Sequence, residues 1–234
     1  MSNLAIIPAR GGSKRIPKKN IKPFLGKPII AYSIEAALKS ERFDEVMVST
    51  DDPEIVKIAV QYGAKVPFLR SSENANDYAV LADVIIEVLN QYTALDKHYN
   101  NVCCLLPTAP FVTSYKLKKA YSVFKDKNYD SLFPVLEYSF PIQRSLKIED
   151  NKVKMVWEEH LNTRSQDLES RYHDSGQFYW VKRNNFLEEK KLFTSNTGSY
   201  IISHLEAQDI DNDVDWKLAE MKYKILLDEE NNNL

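Results

Sequence analysis

The chain of 234 residues predicts an α/β fold: a mostly parallel sheet covered by helices. Two observations carry that reading. Short apolar runs alternate along the chain with longer stretches of helical period, and this is the signature of strand–helix–strand units. Several runs, such as Leu4–Ile7 and Val102–Leu106, are apolar at every residue rather than every second one, as strands buried on both faces must be. A third observation limits the pattern: the alternation breaks after Glu137.

The elements follow in order. Leu4–Pro8 is an apolar strand. Pro28–Lys39 is a helix with Pro in its first turn and Ile29, Ile30, Ala36 and Ala37 turned inward. Glu45–Ser49 is a strand. Asp52-Pro53, a cap followed by Pro, opens a helix that Gly63 ends. Lys65–Leu69 reads as a strand, Tyr78–Tyr92 as a helix and Asn101–Leu106 as a strand. A helix over Ser114–Lys127 carries Leu117, Ala120, Tyr121 and Phe124 on one stripe, and Ser131–Leu136 is the next strand. Residues 138–172 then leave the pattern. They hold Pro141, a hairpin turn at Asp150-Asn151 and the polar segment HLNTRSQDLESRYH, and they predict an excursion from the sheet, a lid or an oligomerisation arm. Gln177–Val181 returns as a strand, and another lies near Tyr200–Ser203. Asp213 is expected to cap a last helix with Val214, Leu218, Met221, Ile225 and Leu226 on its apolar stripe. The end, DEENNNL, is expected to fray. With no repeat, linker or composition shift, one domain over 1–234 is expected.

Composition excludes some functions. The chain has 31 basic and 33 acidic residues, a net charge of -2, which argues against a nucleic-acid coat or a membrane-surface protein. The start, MSNLAIIPAR, is too short an apolar run for a signal peptide or a spanning helix. Adjacent Cys103 and Cys104 read as part of a buried strand, and a cytoplasmic protein without disulfides is expected. The four histidines, His98, His160, His173 and His204, show no zinc-type spacing.

The chemistry starts at IIPARGGSKRIPKKN, Ile6 to Asn20. Ligands of an open parallel sheet bind beyond the carboxyl ends of its strands, so the loop after the first strand is the place to look. Gly11 and Gly12 let the backbone approach a ligand, and exposed amides bind anions. Arg10, Lys14, Arg15, Lys18 and Lys19 add positive charge, so the loop suits a polyphosphate. It has neither P-loop nor GxGxxG spacing. Taken alone, it could equally be a solvated basic loop.

The pattern A-R-x-x-S-K-x-x-P-x-K-N, here Ala9 to Asn20, resembles the first motif of the CMP-sugar synthetases, cytidylyltransferases that activate sialic acid and related keto-sugar acids. VSTDD (Val48–Asp52) is similar to that family's second strand end, and Arg70 and Asp77 stand at its third and fourth blocks. LLPTAP (Leu105–Pro110) resembles a block that reads LLQPTSP in sialic acid enzymes. AQDIDNDVDW (Ala207–Trp216) resembles the metal-binding end. RSQDLESRYHDSGQFYW (Arg164–Trp180) is most similar to the RRQDLPEAYHDAGQFYW block of the pseudaminic acid branch, from which Ser165 and Glu169 depart. The resemblance implies a Rossmann-like nucleotidyltransferase domain in which CTP and a nonulosonic acid give a CMP-sugar and diphosphate.

Roles follow from that resemblance. Arg10, Lys14 and Lys19 are the implied phosphate ligands and, with Asp211, the catalytic residues. Ala9, Gly11, Ser13, Asn20, Ser49, Asp51, Arg70 and Asp77 complete the nucleotide site, although the STD of Ser49–Asp51 is also an ordinary strand-to-helix cap. Leu106, Thr108, Arg164, Gln166, His173 and Gln177 are the implied sugar contacts. Asp209 and Asp211, at i and i+2 on an extended segment, put two carboxylates on one face, a donor pair that suits Mg²⁺ beside a triphosphate. A turn with a helix cap would also account for them. Leu106 replaces the Gln of sialic acid enzymes, which agrees with a 9-deoxy sugar ending in a methyl group. The alternatives are a CMP-sialate, CMP-legionaminate or CMP-Kdo synthetase and, outside catalysis, a nucleotide- or RNA-binding module. The 138–172 excursion is expected to make a homodimer; neither nucleic acid nor membrane is an expected partner.

Overall fold

The computed structural model describes residues 2–232. Strand β1 (Asn3–Pro8) leads through a long loop and a short hairpin, β2 (Pro23–Phe24) with β3 (Lys27–Pro28), into helix α1 (Ile29–Ser40). Then follow β4 (Glu45–Ser49), α2 (Pro53–Gln61), the single turn α3 (Ser72–Ala75), α4 (Leu81–Ala94), β5 (Asn101–Leu105), α5 (Ser114–Asp126) and β6 (Ser131–Glu137). A separate hairpin, β7 (Leu146–Glu149) with β8 (Lys152–Met155), stands apart from the main sheet. The chain returns as β9 (Tyr172–Asp174), β10 (Phe178–Lys182), α6 (Arg183–Glu189), β11 (Thr197–Ile201) and α7 (Asp213–Asn232).

The sheet runs β11-β6-β10-β5-β1-β4, with β9 also on β6. Pairing of β1 with β4 and β5, and of β6 with β11, is parallel, while β10 runs antiparallel between β5 and β6. Most strands therefore end on one edge, as expected, and two reversed strands, β10 and the short β9, lie along β6. Each residue of β1 is buried, and its side chains alternate between two cores. Ala5 and Ile7 join Ile30, Ile34, Leu117 and Phe124 of α1 and α5; Leu4 and Ile6 join Ile85, Val88 and Leu89 of α4. Helices thus cover both faces. Cys103 and Cys104 are buried, unpaired residues of β5. Among the described residues no helix is long and apolar enough to cross a membrane.

Several elements differ from expectation. In 65–69 only Lys65 pairs, by one bridge to Met47, because Pro67 has no N–H to offer a ladder. The expected 78–92 helix begins at Leu81, since the Asn76 side chain instead accepts from the amides of Tyr78 and Ala79 in a turn. The last strand lies at 197–201 rather than 200–203. Asn212, not Asp213, caps α7: its carboxamide oxygen accepts from the Val214 and Asp215 amides, and Asp215 returns a bond from the Asn212 amide. The α7 stripe is shifted. Of the expected residues Leu226 packs inward, beside Trp216, Ala219 and Tyr223 on Phe24 and Tyr32, while Val214, Leu218, Met221 and Ile225 are exposed. The 228–234 end, expected to fray, is helical through Asn232; residues 233 and 234 lie outside the described residues.

Candidate active site

The carboxyl ends of β1, β4, β5 and β6 frame two clefts. One, of about 260 Å³, is lined by Arg10, Ser13, Lys19, Asn20, Arg70, Asp77 and Thr108. The other, of about 570 Å³, is lined by His173, Asp174, Ser175, His204, Asp209 and Lys222. Leu106, at the end of β5, lines both. An apolar side chain therefore stands between a basic cleft and a cleft of mixed charge.

In the first cleft the loop after β1 is braced from several sides. The Ala9 amide donates to the Ser49 carbonyl at 2.9 Å, extending the β1–β4 pairing by one bond. The Gly11 amide donates to Asp51 Oδ1 at 3.0 Å, and a Cβ on Gly11 would lie 2.6 Å from an Asp52 carboxylate oxygen. Glycine is required here because the loop passes directly over the cap of α2. Asn20, buried, donates from Nδ2 to the Arg10 carbonyl at 2.9 Å and so holds the loop's shape. Arg10 and Lys14 both pair with Asp77, the former at 2.5 Å. Hydrogen bonds from Lys14 and Arg10 hold the Asp77 pKa below the ordinary carboxylate value.

Arg70 is buried beneath this loop. Its Nε donates to Ser49 Oγ at 3.1 Å and a terminal nitrogen donates to the Ser49 carbonyl at 2.5 Å. Burial lowers its pKa, against the opposing pull of Asp51 and Glu87. Ser49 and Asp51 thus anchor Arg70 and Gly11, while Asp52, not either of them, caps α2 by accepting from the Glu54 and Ile55 amides. Lys19 donates to the Ile210 carbonyl at 2.7 Å and lies 3.9 Å from Asp211. Burial lowers its pKa, and Asp211 and Asp209 oppose the shift.

The second cleft forms where β9 and β10 follow one another along the same edge of β6. Ser175–Gln177 interrupts that edge, with Gly176 at φ +63°. His173 accordingly faces the cleft, with its ring 4.9 Å from Tyr138. Thr108, expected beside the sugar, lines the first cleft instead, and Gln177 lines neither. Gln177 is buried behind the wall, donates to the Glu206 carbonyl at 2.6 Å, and its own carbonyl accepts from the Leu106 amide at 2.8 Å. Its effect on the cleft is to fix Leu106. Arg164 and Gln166 are also not brought here. Arg164 pairs with Asp167 at 2.7 Å on the arm, and Gln166 lines a separate hollow with Tyr138 and Arg171. The i, i+2 spacing of the two aspartates divides them differently from expectation: Asp209 faces the second cleft, buried Ile210 anchors the segment, and Asp211 pairs with Arg15 at 2.7 Å.

Asp174, Ser175, His204 and Lys222 escaped the sequence reading. Asp174 and Ser175 lie within Arg164–Trp180, but nothing in their spacing separates cleft-facing from buried positions. Lys222 gives no local signal, because a lysine on an amphipathic helix reads as a solvated charge.

The pattern of the cytidylyltransferase family matches residues 4–232. The chain is 44% identical over 226 residues to the pseudaminic acid cytidylyltransferase of Campylobacter jejuni, covering 96% of this chain and 97% of that protein. It is 35% identical to the CMP-N,N'-diacetyllegionaminic acid synthase of Legionella pneumophila over 94% of this chain and 95% of the other. In fold it is similar to a solved CMP:2-keto-3-deoxy-manno-octonic acid synthetase complexed with CTP, with a TM-score of 0.70, 18% identity, and coverage of 97% and 100%. The chain belongs to the cytidylyltransferase family.

Proposed function

We propose that this enzyme transfers CMP from CTP to pseudaminic acid, giving CMP-pseudaminic acid and diphosphate. The observation that carries the reading is the 44% identity along 97% of the Campylobacter jejuni enzyme of that name. The pair of clefts meeting at Leu106 agrees with it, since a donor and an acceptor must meet at one phosphorus.

In this reading the basic cleft takes the nucleotide. Arg10, Lys14 and Lys19 face the triphosphate, where charge grows on the phosphate oxygens during in-line attack. Cations held there beforehand stabilise that charge without reorganisation. In the free protein Asp77 neutralises Arg10 and Lys14, and an incoming phosphate competes for the same two groups. Arg70 underlies the cleft as a fixed positive charge, and Thr108 and Ser13 offer hydroxyls from its walls.

The second cleft takes the sugar acid. Leu106 presents an apolar surface where a glutamine could have bonded a hydroxyl, which suits the terminal methyl of a 9-deoxy sugar, and His173 lines the same space. Asp209 and Asp211 are the residues that would hold Mg²⁺. Phosphate oxygens and waters would complete its octahedral set, and Asp211 would exchange its pairing with Arg15 for the ion. The ion would neutralise phosphate charge and acidify the attacking hydroxyl.

The arm supports a homodimer. Leu146, Ile148 and Val153 of its hairpin are exposed apolar residues with no cover from their own chain. Isologous pairing would bury them.

The reading is tested by incubating the protein with CTP, Mg²⁺ and pseudaminic acid and following diphosphate release and CMP-sugar formation. Nucleotide binding without turnover would favour a binding module instead.

A further inference from the structure

We propose that Lys222 of α7 supplies the positive charge that holds the carboxylate of the acceptor sugar acid, with the Ser175 hydroxyl as a second contact. This inference rests on the reading of the second cleft as the acceptor site.

A keto-sugar acid brings a carboxylate into that cleft, and a carboxylate leaves water only for a cation or for several donors. The cleft wall itself carries two acidic groups, Asp174 and Asp209. Asp174 is already bonded, accepting from the Gly176 amide at 2.8 Å and the Tyr179 hydroxyl at 2.7 Å. Lys222 is the lysine on the wall. Its ammonium donates to the Ala207 carbonyl at 2.9 Å, and among the described residues no carboxylate lies within ion-pair distance. An ammonium has three donors, so two remain for a ligand.

Two other cations from segments next to the cleft are otherwise engaged: Lys116 pairs with Glu206 at 3.0 Å and Arg15 with Asp211. Burial lowers the Lys222 pKa below the ordinary lysine value, and an arriving anion would oppose that shift. Ser175 is an independent observation. It is only 7% exposed, it lines the cleft, and its buried hydroxyl has no hydrogen-bond partner in the protein. Such a group costs stability until an acceptor arrives.

Calorimetry with pseudaminic acid and, separately, with CTP should be run on wild type, Lys222→Met, Lys222→Arg and Ser175→Ala, alongside steady-state turnover. Lys222→Met is expected to weaken sugar-acid affinity, and raise its KM, by roughly 10- to 100-fold, the range of a charge-assisted bond. CTP affinity should stay within about twofold, and Lys222→Arg should recover most of the loss. Ser175→Ala should weaken the sugar acid by about threefold to tenfold. Unchanged sugar-acid affinity and KM in Lys222→Met would overturn the inference while wild-type turnover kept the functional reading intact. Equal loss of CTP and sugar-acid binding would also overturn it, by showing a structural role. Wild-type protein that neither binds nor turns over the sugar acid would overturn the functional reading together with the inference.

Discussion

Arg10 and Lys14 share one carboxylate, Asp77, although they lie in a loop that the chain braces at Ala9, Gly11 and Asn20. The bracing is what makes the charges usable, because a preorganised cation needs no rearrangement as the transition state forms. Arg10→Ala or Lys14→Ala should therefore lower kcat/KM for CTP by about 100- to 1000-fold with little change in stability, read by steady-state kinetics and thermal melting. Leu106 acts differently. Its carbonyl accepts from the Ser33 hydroxyl at 2.8 Å and its amide donates to Gln177, so its backbone is fixed while its side chain faces both clefts. Leu106→Gln should reduce turnover of pseudaminic acid more than it reduces CTP affinity. Glu45, a buried carboxylate at the start of β4, links stability to pH. Burial alone would raise its pKa, but the Tyr92 hydroxyl at 2.5 Å, Lys65 and Lys97 outweigh burial and lower it below the ordinary 4.5. A lowered carboxyl stabilises the fold above its unfolded pKa and loses that contribution as pH falls through its folded pKa. Denaturant unfolding should thus show stability declining from about pH 4.5 downward, with Glu45→Gln flattening part of that slope.

β4 needed nothing beyond its own residues to be found: EVMVS is apolar, short and followed by Asp-Pro, and it pairs over its full length. The same holds for β1, β5, α2 and α5, where the core faces and caps are local signals. The hairpin turn was also local, with Asp150 and Asn151 both at positive φ. What was not legible depended on partners elsewhere in the chain. The reversal of β10 cannot be read from FYWVK, because an apolar central strand looks alike in either direction. On α7, apolar residues occur on both faces, and only the presence of Phe24, Tyr32 and Phe111 decides which is buried. The lining of the first cleft was largely legible because many of its residues cluster in one loop. That of the second was only half so, since it joins β5, β9, the segment before α7, and α7 itself. One strand glycine carries a prediction of its own. Gly198 of edge strand β11 lies under the Tyr129 ring, and an added Cβ would sit 2.1 Å from it. Gly198→Ala should displace that ring and cost about 1–3 kcal/mol in denaturant unfolding, leaving CTP affinity unchanged.

The molecule as a whole sets the basic cleft and the cleft of mixed charge side by side on the carboxyl edge of one sheet and projects a hairpin away from it. That projection makes little sense for an isolated chain, with Ile148 at 75% exposure and Leu146 and Val153 at 61% and 63%. Sedimentation should give a dimer at micromolar concentration, and Ile148→Asp should shift it toward monomer. A wild-type monomer would remove the arm from the account without touching the chemistry. The identity of the acceptor is read from relative specificity. Pseudaminic, legionaminic, N-acetylneuraminic and Kdo acids should be offered separately with CTP and Mg²⁺, and kcat/KM measured for each by diphosphate release. A site with apolar Leu106 between its clefts predicts the highest value for pseudaminic acid, with weaker use of its relatives, because an apolar wall discriminates less sharply than a hydrogen-bonding one. Equal or better use of N-acetylneuraminic acid would contradict the named acceptor.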